Sequence, residues 1–337
     1  MAAHFARPRR RAGWSGGRAG PGRAAAPPLV WRERALLGFG TTLWLRAAHH
    51  EASTVECALD AAVQAIRHVE AQMSLFDPSS AVSRLNRDGQ LREPDPHLLR
   101  VLQLARRVAG RSAGAFDITV QPLWLAWVAA RRLGRRPTRR ELSAARALVG
   151  WHGVEADTAA VHLRRPGMAI TLNGIAQGYA ADLARERLAA LGIKHALLDT
   201  GEWAALGHGP GDLPWTLAVA DPRGGVGGAS GAAPAVAALQ AQGRSVATSS
   251  DAHTPFTADL RHHHIFDPRS GDSPTGLASV TVVTPSCALA DALTKVMFMG
   301  DIDQALAPAT QWRVWVLAID KAGRWQASPG LGLEGRA

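Results

Sequence analysis

The chain of 337 residues contains only two cysteines, Cys57 and Cys287. Two cysteines cannot form a zinc cluster by themselves and do not suggest a disulfide scaffold, although they leave a single bridge open. The sequence also lacks any run of about 18 apolar residues, which is the length that a membrane-spanning helix requires. These absences favour a globular fold, and the chain is long enough to bury a substantial core.

Acidic residues are almost missing from the N-terminal part. The formal charge of the chain is +10, and residues 1–46 hold nine arginines against one acid, Glu33. Since the remainder is nearly balanced, the basic character belongs to an extension, and we expect no nucleic-acid partner. Residues 1–33 are predicted to be a disordered, basic Arg/Gly/Pro/Ala-rich extension. It has no apolar segment of the kind a signal peptide needs, so the chain as encoded predicts a cytoplasmic location.

One common nucleotide-binding motif is missing, because the sequence has no Gly-x4-Gly-Lys-Ser/Thr loop. The Gly-rich run at 225–230 (GVGGAS) is not a dinucleotide fingerprint either. These observations argue against a P-loop nucleotidase and against a dinucleotide site in that run.

The apolar pattern predicts mixed secondary structure. Strands are expected at 195–200, 215–220, 244–249, 277–284 and 312–319, and helices after the capping boxes that begin at Ser53 and Thr138. Strands in the C-terminal half follow one another mostly without intervening helices, which favours an α+β fold over a doubly wound α/β fold. We predict one domain over residues 34–325 and a flexible tail over 326–337.

The segment 171–184 (TLNGIAQGYAADLA) is the most informative stretch. A short apolar run passes through Gly174 and Gly178 into a helix that begins near Ala176, and Gly192 is placed to end that helix. Free backbone N–H groups and the positive helix end would face an approaching anion, which suits a ligand that carries phosphate. The alternative is a turn that only folds the chain.

Two further segments carry polar side chains. Residues 261–271 (RHHHIFDPRSG) contain a histidine suited to proton transfer near neutral pH, whereas a zinc site there lacks further ligands. Asp291 and Thr294 lie three residues apart in a predicted helix, so they share a face and are candidates for binding Mg²⁺. The alternative role for Asp291 is an acid near the helix start that complements the helix dipole.

Taken together, these segments resemble the ApbE family, the FAD:protein FMN transferases. The resemblance spans about residues 36–300 and rests on eight segments in the family's order. They are GFGTT (38–42), MSLFDPSSAVSRLN (73–86), GAFD (114–117), TLNGIAQGYAAD (171–182), ALLDTGEWAALG (196–207), SVATSSD (245–251), HHIFDPRSG (263–271) and SVTVVTPSCALADALTK (279–295).

The resemblance implies a fold, a reaction and a set of site residues. It implies an ApbE-like (T-fold-like) core of largely antiparallel sheet packed with helices. The implied reaction is transfer of FMN from FAD to a threonine hydroxyl of an acceptor flavoprotein, with Mg²⁺ as cofactor and release of AMP. By position, the FAD-contacting residues are Phe39, Phe76, Ala115, Phe116, Asp117, Thr171, Gln177 and Ile265. The implied metal ligands are Asp291, Thr294 and the carbonyl group of Gly174. For proton transfer, His264 is the first candidate and Asp117 the second.

The chain departs from the family pattern at three of these places. Many members carry lysine where Gln177 stands, tyrosine where Phe76 stands and threonine where Lys295 stands. The threonine here is Thr294, one place early, so Lys295 is a candidate for contacting phosphate instead. Two alternative functions therefore stay open: an FAD-binding protein without transfer activity, and an Mg²⁺-dependent FAD pyrophosphatase that releases FMN and AMP.

Overall fold

The computed structural model describes residues 27–224, 234–241 and 243–334 and confirms the predicted α+β class. Within these residues, eight strands form a main sheet in the order β1-β2-β6-β7-β10-β11-β12-β13, and every neighbouring pair is antiparallel. Two three-stranded sheets have the orders β14-β9-β8 and β3-β5-β4. The strands are β1 (Val30–Gly38), β2 (Thr41–His49), β3 (Gln90–Arg92), β4 (Val154–Ala156), β5 (Ala160–Leu163), β6 (His195–Asp199), β7 (Trp203–Leu206), β8 (Thr216–Ala220), β9 (Ala235–Gln240), β10 (Ser245–Ser250), β11 (Leu277–Thr284), β12 (Trp315–Asp320), β13 (Trp325–Ala327) and β14 (Leu333–Glu334).

The helices include Ala52–Met73, Ala176–Ala190 and Cys287–Met297, which contact strands of the main sheet. In chain order, the helices are α1 (Ala52–Met73), α2 (Ala81–Asp88), α3 (Pro96–Arg111), α4 (Gln121–Arg132), α5 (Arg139–Arg146), α6 (Ala176–Ala190), α7 (Cys287–Met297), α8 (Ile302–Leu306) and α9 (Ala309–Trp312). The described part of the chain contains no helix that is both long enough and apolar enough to cross a membrane.

Alternation along the central strands divides the core into two layers. On β12, Val316 and Ala318 belong to the cluster under the helices, whereas Leu317 and Ile319 belong to the cluster under the β14-β9-β8 sheet. Successive side chains of a strand point to opposite faces, so a strand buried on both faces consists almost entirely of apolar residues. The main sheet is therefore the middle layer between helices and a second sheet.

Some predicted boundaries differ from the structure. The extension predicted over residues 1–33 overlaps β1, which begins at Val30 because it pairs with β2 along its whole length. The tail predicted over 326–337 contains β14, which pairs with β9 and packs Leu333 against the second core layer. The Gly/Pro-rich composition of residues 222–234 predicts a flexible loop. Of these, residues 225–233 lie outside the described residues.

Helix starts follow the predicted capping chemistry in one case and not in the other. Thr138 and Glu141 form the predicted capping box at α5. The box predicted at Ser53 is wrong, because α1 begins at Ala52 with Glu51 as its N-cap residue and without a side-chain cap.

Helices α6 and α7 pack closely and position the residues of the candidate site. A Cβ atom on Gly178 would lie 2.4 Å from the carbonyl oxygen of Cys287, so only glycine allows this approach. Asp182 of α6 accepts hydrogen bonds from the Ser286 hydroxyl and from the backbone N–H groups of Cys287 and Ala288. One helix thereby caps the N-terminus of the other, which fixes the angle between them.

Candidate active site

The site is built around Asp291, on the face of α7 that meets α6. Its Oδ1 lies 2.5 Å from the Nζ atom of Lys295, one helical turn later. Its Oδ2 accepts a hydrogen bond of 3.3 Å from the backbone N–H of Gly178. A carboxylate this deeply buried needs such partners, because an uncompensated buried charge is costly.

The residues predicted to hold Mg²⁺ are brought close together, but the side-chain oxygens of Asp291 and Thr294 are engaged. The Thr294 hydroxyl donates to the Asp291 carbonyl oxygen (2.7 Å) and shares a hydrogen bond with the Ser249 hydroxyl (2.7 Å). Lys295 extends past Gly174, where a Cβ atom would lie 3.0 Å from Cε and 3.7 Å from Nζ. Among the described residues, no group of three or more His, Cys, Asp or Glu side chains is arranged to bind a metal ion. This donor set, with an ammonium group already on its carboxylate, does not fit Mg²⁺.

Two further carboxyl groups lie at the turn between β6 and β7, and sequence reasoning missed both as site residues. Glu202 is buried and accepts a hydrogen bond of 3.0 Å from the Thr248 N–H. Burial, together with the negative charge of Asp291, raises the pKa of Glu202 well above its ordinary value. Burial also raises the pKa of Asp199 to about 6. Both groups therefore favour the protonated form more than exposed carboxyl groups do.

Gln177 joins this turn to the start of α6. Its Nε2 donates to the Thr200 carbonyl oxygen (3.0 Å), and the Thr200 hydroxyl donates back to the Gln177 carbonyl oxygen (2.9 Å). Gly201 adopts a φ of +96°, and a Cβ atom there would lie 2.3 Å from Gln177 Nε2. The glycine in the DTGEW segment is thus required by backbone conformation and by the approach of this side chain.

His264, the first candidate for proton transfer, lies close enough to this cluster to sense its charge. Burial, with smaller contributions from His263 and Lys295, lowers the pKa of His264 to about 3. Its Nδ1 atom is buried and has no hydrogen-bond partner among the described residues. The next residue, Ile265, is buried in the core under the helices.

Asp117, the second candidate, has a structural task in the loop before α4. It caps a short 3₁₀ turn, accepting from the Thr119 N–H (2.8 Å), the Thr119 hydroxyl (2.6 Å) and the Trp151 N–H (2.9 Å). Burial raises the pKa of Asp117 against the opposing effect of these hydrogen bonds. The neighbouring Ala115 and Phe116 are also buried. The Thr171 N–H donates to the Ile118 carbonyl oxygen (2.8 Å), which joins this loop to the segment that leads into α6.

Phe39 and Phe76 lie at the turn between β1 and β2. Phe39 has a φ of +51°, and its N–H donates to Glu70 Oε1 at 2.6 Å. The Phe76 ring covers Gly40, where a Cβ atom would lie 3.3 Å from the ring, and Phe76 is 73% exposed. An aromatic ring held in place yet open to solvent is suited to stacking against a planar ligand.

The structure thus brings Gly174, Gln177, Asp291 and Thr294 together and places His264 within electrostatic range of Lys295. Sequence reasoning missed the ion pair with Asp291, the inward direction of the Thr294 hydroxyl and the burial of Glu202. The available signal was Lys295 itself, a basic residue four positions after a helical acid, which is the spacing of an ion pair.

Comparison with known proteins agrees with this arrangement of segments. The family model described as "ApbE family" matches residues 39–317. An FAD:protein FMN transferase of Haemophilus influenzae is 28% identical over 266 residues, covering 75% of each chain. One from Vibrio cholerae is 29% identical over 280 residues, covering 80% of each chain. The crystal structure of the ApbE protein of Thermotoga maritima superposes with a TM-score of 0.79 at 26% identity, covering 89% of this chain and 97% of that one. Since the family model spans most of the sequence, this chain belongs to the ApbE family.

Proposed function

We propose that this protein is an FAD:protein FMN transferase that moves FMN from FAD to a threonine hydroxyl of an acceptor flavoprotein and releases AMP. The observation that carries the proposal is the convergence of four motif segments, distant in sequence, on one site. Helix α6 reaches the β6–β7 turn through the bond from Gln177 to Thr200 and reaches α7 through the bond from the Gly178 N–H to Asp291. Strand β10 reaches α7 through the bond between Ser249 and Thr294, and Glu202 of the turn senses the charge of Asp291. The relatives that share these segments are named for this activity.

The reaction exchanges one phosphorus–oxygen bond for another. The acceptor threonine oxygen attacks the phosphorus atom on the FMN side of the FAD diphosphate and forms a phosphoester bond. The bond from that phosphorus to the bridging oxygen breaks, and AMP leaves with the bridging oxygen. The protein must hold the attacking and leaving oxygens in line and offset the negative charge of the diphosphate.

The chain offers two groups for the charge and position of the diphosphate. Helix α6 begins at Ala176, and the N–H of Gly178 in its first turn donates to Asp291, so the positive end of the helix faces the site. The ammonium group of Lys295 lies beside it, over Gly174. Phe76 is proposed to stack against the isoalloxazine ring, and the 115–117 loop and Thr171 to line the rest of the FAD site.

His264 remains the proposed acceptor of the threonine proton. In the neutral tautomer that carries its proton on Nε2, the Nδ1 atom has a free lone pair, which a hydroxyl donor would satisfy. The negative diphosphate would raise the low pKa of the ring and make it a stronger base in the complex. We prefer His264 to Asp117 because both oxygens of Asp117 already accept hydrogen bonds.

The Mg²⁺ dependence predicted from the sequence is the part that the geometry supports least. Asp291 is paired with Lys295, and the Thr294 hydroxyl is turned toward Ser249. We therefore assign no step to a metal ion, and the assay below includes a chelator.

The direct test is the intact mass of an acceptor flavoprotein that carries the target threonine, measured after incubation with this protein and FAD. The reaction is run with Mg²⁺ and with EDTA, and AMP is measured in parallel. The matched control is the same acceptor with the target threonine changed to alanine. We expect the mass of one FMN group to be added to the threonine acceptor only, with an equal amount of AMP.

The other outcomes identify the alternatives. FAD that stays bound and intact beside an unmodified acceptor would contradict the proposal and favour a binding protein; the unusual Lys295 specifically motivates this alternative. AMP and free FMN without an adduct would favour a pyrophosphatase.

A further inference from the structure

We propose that the ammonium group of Lys295 is the resident cation of this site and takes the place of a divalent metal ion against the FAD diphosphate. The inference rests on the proposed function, because it takes FAD as the ligand. It predicts that FAD binding and FMN transfer do not require a divalent cation.

The first argument is position. Two of the three places predicted to hold the metal ion, Asp291 and Gly174, meet at the end of the Lys295 side chain. Nζ lies 2.5 Å from Asp291 Oδ1, and a Cβ atom on Gly174 would lie 3.7 Å from Nζ. The Lys295 side chain thus lies beside both Asp291 and Gly174, two of the places predicted to hold a metal ion.

The second argument concerns the third predicted ligand. Thr294 is fully buried, and its hydroxyl is bonded to the Asp291 carbonyl oxygen and to Ser249. The single proton of this hydroxyl and one of its two lone pairs are already used in these buried hydrogen bonds, which fix its direction. At this position the threonine hydroxyl therefore bonds to groups in the core and does not contact the ligand.

The third argument is the direction from which a ligand can approach. The Asp291 side chain is 1% exposed, whereas the Lys295 side chain is 21% exposed. The Lys295 side chain is therefore more open to solvent than the carboxylate it pairs with, and an anion that enters from solvent would reach the lysine before the aspartate.

The fourth argument is charge. Three buried acids, Asp199, Glu202 and Asp291, surround the site, and Lys295 opposes the rise in the pKa of Glu202. His253 and His264 also sense the charge of Lys295, and burial, the larger cause, favours their neutral forms. Lys295 is thus the positively charged side chain that Glu202, His253 and His264 all sense.

A lysine suits this task chemically. Its ammonium group is a compact, strongly hydrated point charge with three donors, closer to a small cation than the planar guanidinium group of arginine is. Of the 38 basic residues in the chain only three are lysines, Lys194, Lys295 and Lys321. Arginine, common elsewhere in this sequence, is not used at this position.

The test measures FAD binding and metal binding as well as transfer. Binding of FAD to the full chain is followed by flavin fluorescence, with EDTA and with Mg²⁺, and binding of Mg²⁺ alone is followed by calorimetry. For the wild type we expect FAD affinity to agree within about twofold in the two conditions, and no heat of Mg²⁺ binding without FAD.

Three variants at one position separate charge from structure. Lys295→Met removes the charge at similar length and is expected to weaken FAD binding about 10- to 100-fold in EDTA. Lys295→Arg keeps the charge and is expected to retain most of the affinity. Lys295→Thr frees Asp291, and we expect it to regain FAD binding and transfer when Mg²⁺ is added.

Two controls guard against a purely structural effect. Lys295→Met leaves Asp291 buried without its cation, so the double variant Lys295→Met/Asp291→Asn is measured beside it, with thermal unfolding of each. Lys321→Met is the matched control, because Lys321 also pairs with a buried aspartate, Asp251, which keeps Arg223 as a second partner. We expect Lys321→Met to leave the response of FAD binding to EDTA unchanged.

The outcomes separate this inference from the proposed function. FAD binding by the wild type that is lost in EDTA and restored by Mg²⁺ would overturn the inference, whether or not transfer occurs. Unchanged FAD affinity in a folded Lys295→Met protein would also overturn it. Binding that resists EDTA and depends on Lys295, without any transfer to the acceptor, would support the inference while the proposed function fails.

Discussion

At the scale of single residues, exposure separates groups that hold the fold from groups that are free to meet a ligand. Phe116 and Ile265 are buried in the core, so the proposed contact with FAD would be limited to the edge that the core leaves open. Phe76 is the opposite case, an aromatic ring on the surface of the β1–β2 turn. Such a residue contributes little to folding and is available for stacking.

Replacing Phe76 by alanine is therefore expected to weaken FAD binding about 5- to 10-fold and to change the free energy of unfolding by less than about 0.5 kcal/mol. Flavin fluorescence gives the first quantity and urea unfolding the second. Phe76→Tyr should retain affinity, and Leu133→Ala, at a residue that is 70% exposed, should change neither quantity. A large loss of stability in Phe76→Ala would show that the ring supports the turn instead.

His264 makes a prediction about acid stability. Its pKa falls from 6.5 to about 3 on folding, mainly through burial. Between these values the unfolded chain binds a proton that the native protein does not, so the free energy of unfolding falls as the pH is lowered from 6.5 toward 3. In His264→Gln this contribution is absent, and urea unfolding at a series of pH values should show a shallower loss over that window. The wild type and His264→Gln have the same carboxyl groups, so a difference between their curves of unfolding free energy against pH comes from His264. Parallel curves would contradict the lowered pKa of His264.

At the scale of elements, the contact between α6 and α7 determines whether the site exists. Gly178 allows the helices to approach, and Asp182 caps α7 from α6. Gln177 and Asp291 reach the site from these two helices. A shift of one helix would therefore separate groups that must act together.

Gly178→Ala tests this contact. Its new methyl group would meet the Cys287 backbone, which cannot rotate away, so we expect a loss of about 1–3 kcal/mol in the free energy of unfolding together with weaker FAD binding. Gly110→Ala is the matched control near the end of α3, because a Cβ atom there would have only an ordinary contact of 3.8 Å with Trp151. Since alanine favours the helix, Gly110→Ala should be neutral or stabilising by up to about 1 kcal/mol. Equal effects of the two substitutions in urea unfolding would argue against a special approach at Gly178.

At the scale of the whole molecule, the main sheet separates the candidate site from a second core layer. The site lies on the side of α6 and α7, whereas Trp215, Leu239 and Leu333 pack on the opposite side. Strand β14 completes that second layer by pairing with β9. Stability and ligand binding can therefore be changed separately.

Deleting residues 331–337 is expected to lower the free energy of unfolding by about 1–3 kcal/mol, because Leu331 and Leu333 leave an apolar layer and β9 loses a neighbour. Leu333→Ala should produce part of this loss. FAD affinity, measured well below the unfolding temperature, should stay within about twofold of the wild type because the site is across the sheet. Unchanged thermal unfolding of the shortened chain would contradict the assignment of β14 to the fold.

Local patterns in the sequence determined much of this protein. Period-two and period-3.6 apolar spacing predicted the α+β class and strand 277–284 as observed, because burial on a sheet or helix face requires that spacing. The glycines before α6 and the order of eight segments predicted the family, and the family model confirms it. Short strands such as β14 were not predicted. Two residues are too few to show an apolar pattern, and they form a strand because they pair with a partner strand.

The tertiary structure alone decided the charges and directions of the site residues. The Asp291–Thr294 spacing is compatible with a metal site, but packing against Ser249 turned the threonine hydroxyl inward, and Lys295 reached the carboxylate. Likewise, Glu202 follows a strand in an ordinary turn, and its pKa is raised by burial and by the charge of Asp291, a residue of another element. Spacing along a helix fixes which side chains share a face, whereas burial and neighbours from other elements fix their protonation and their partners.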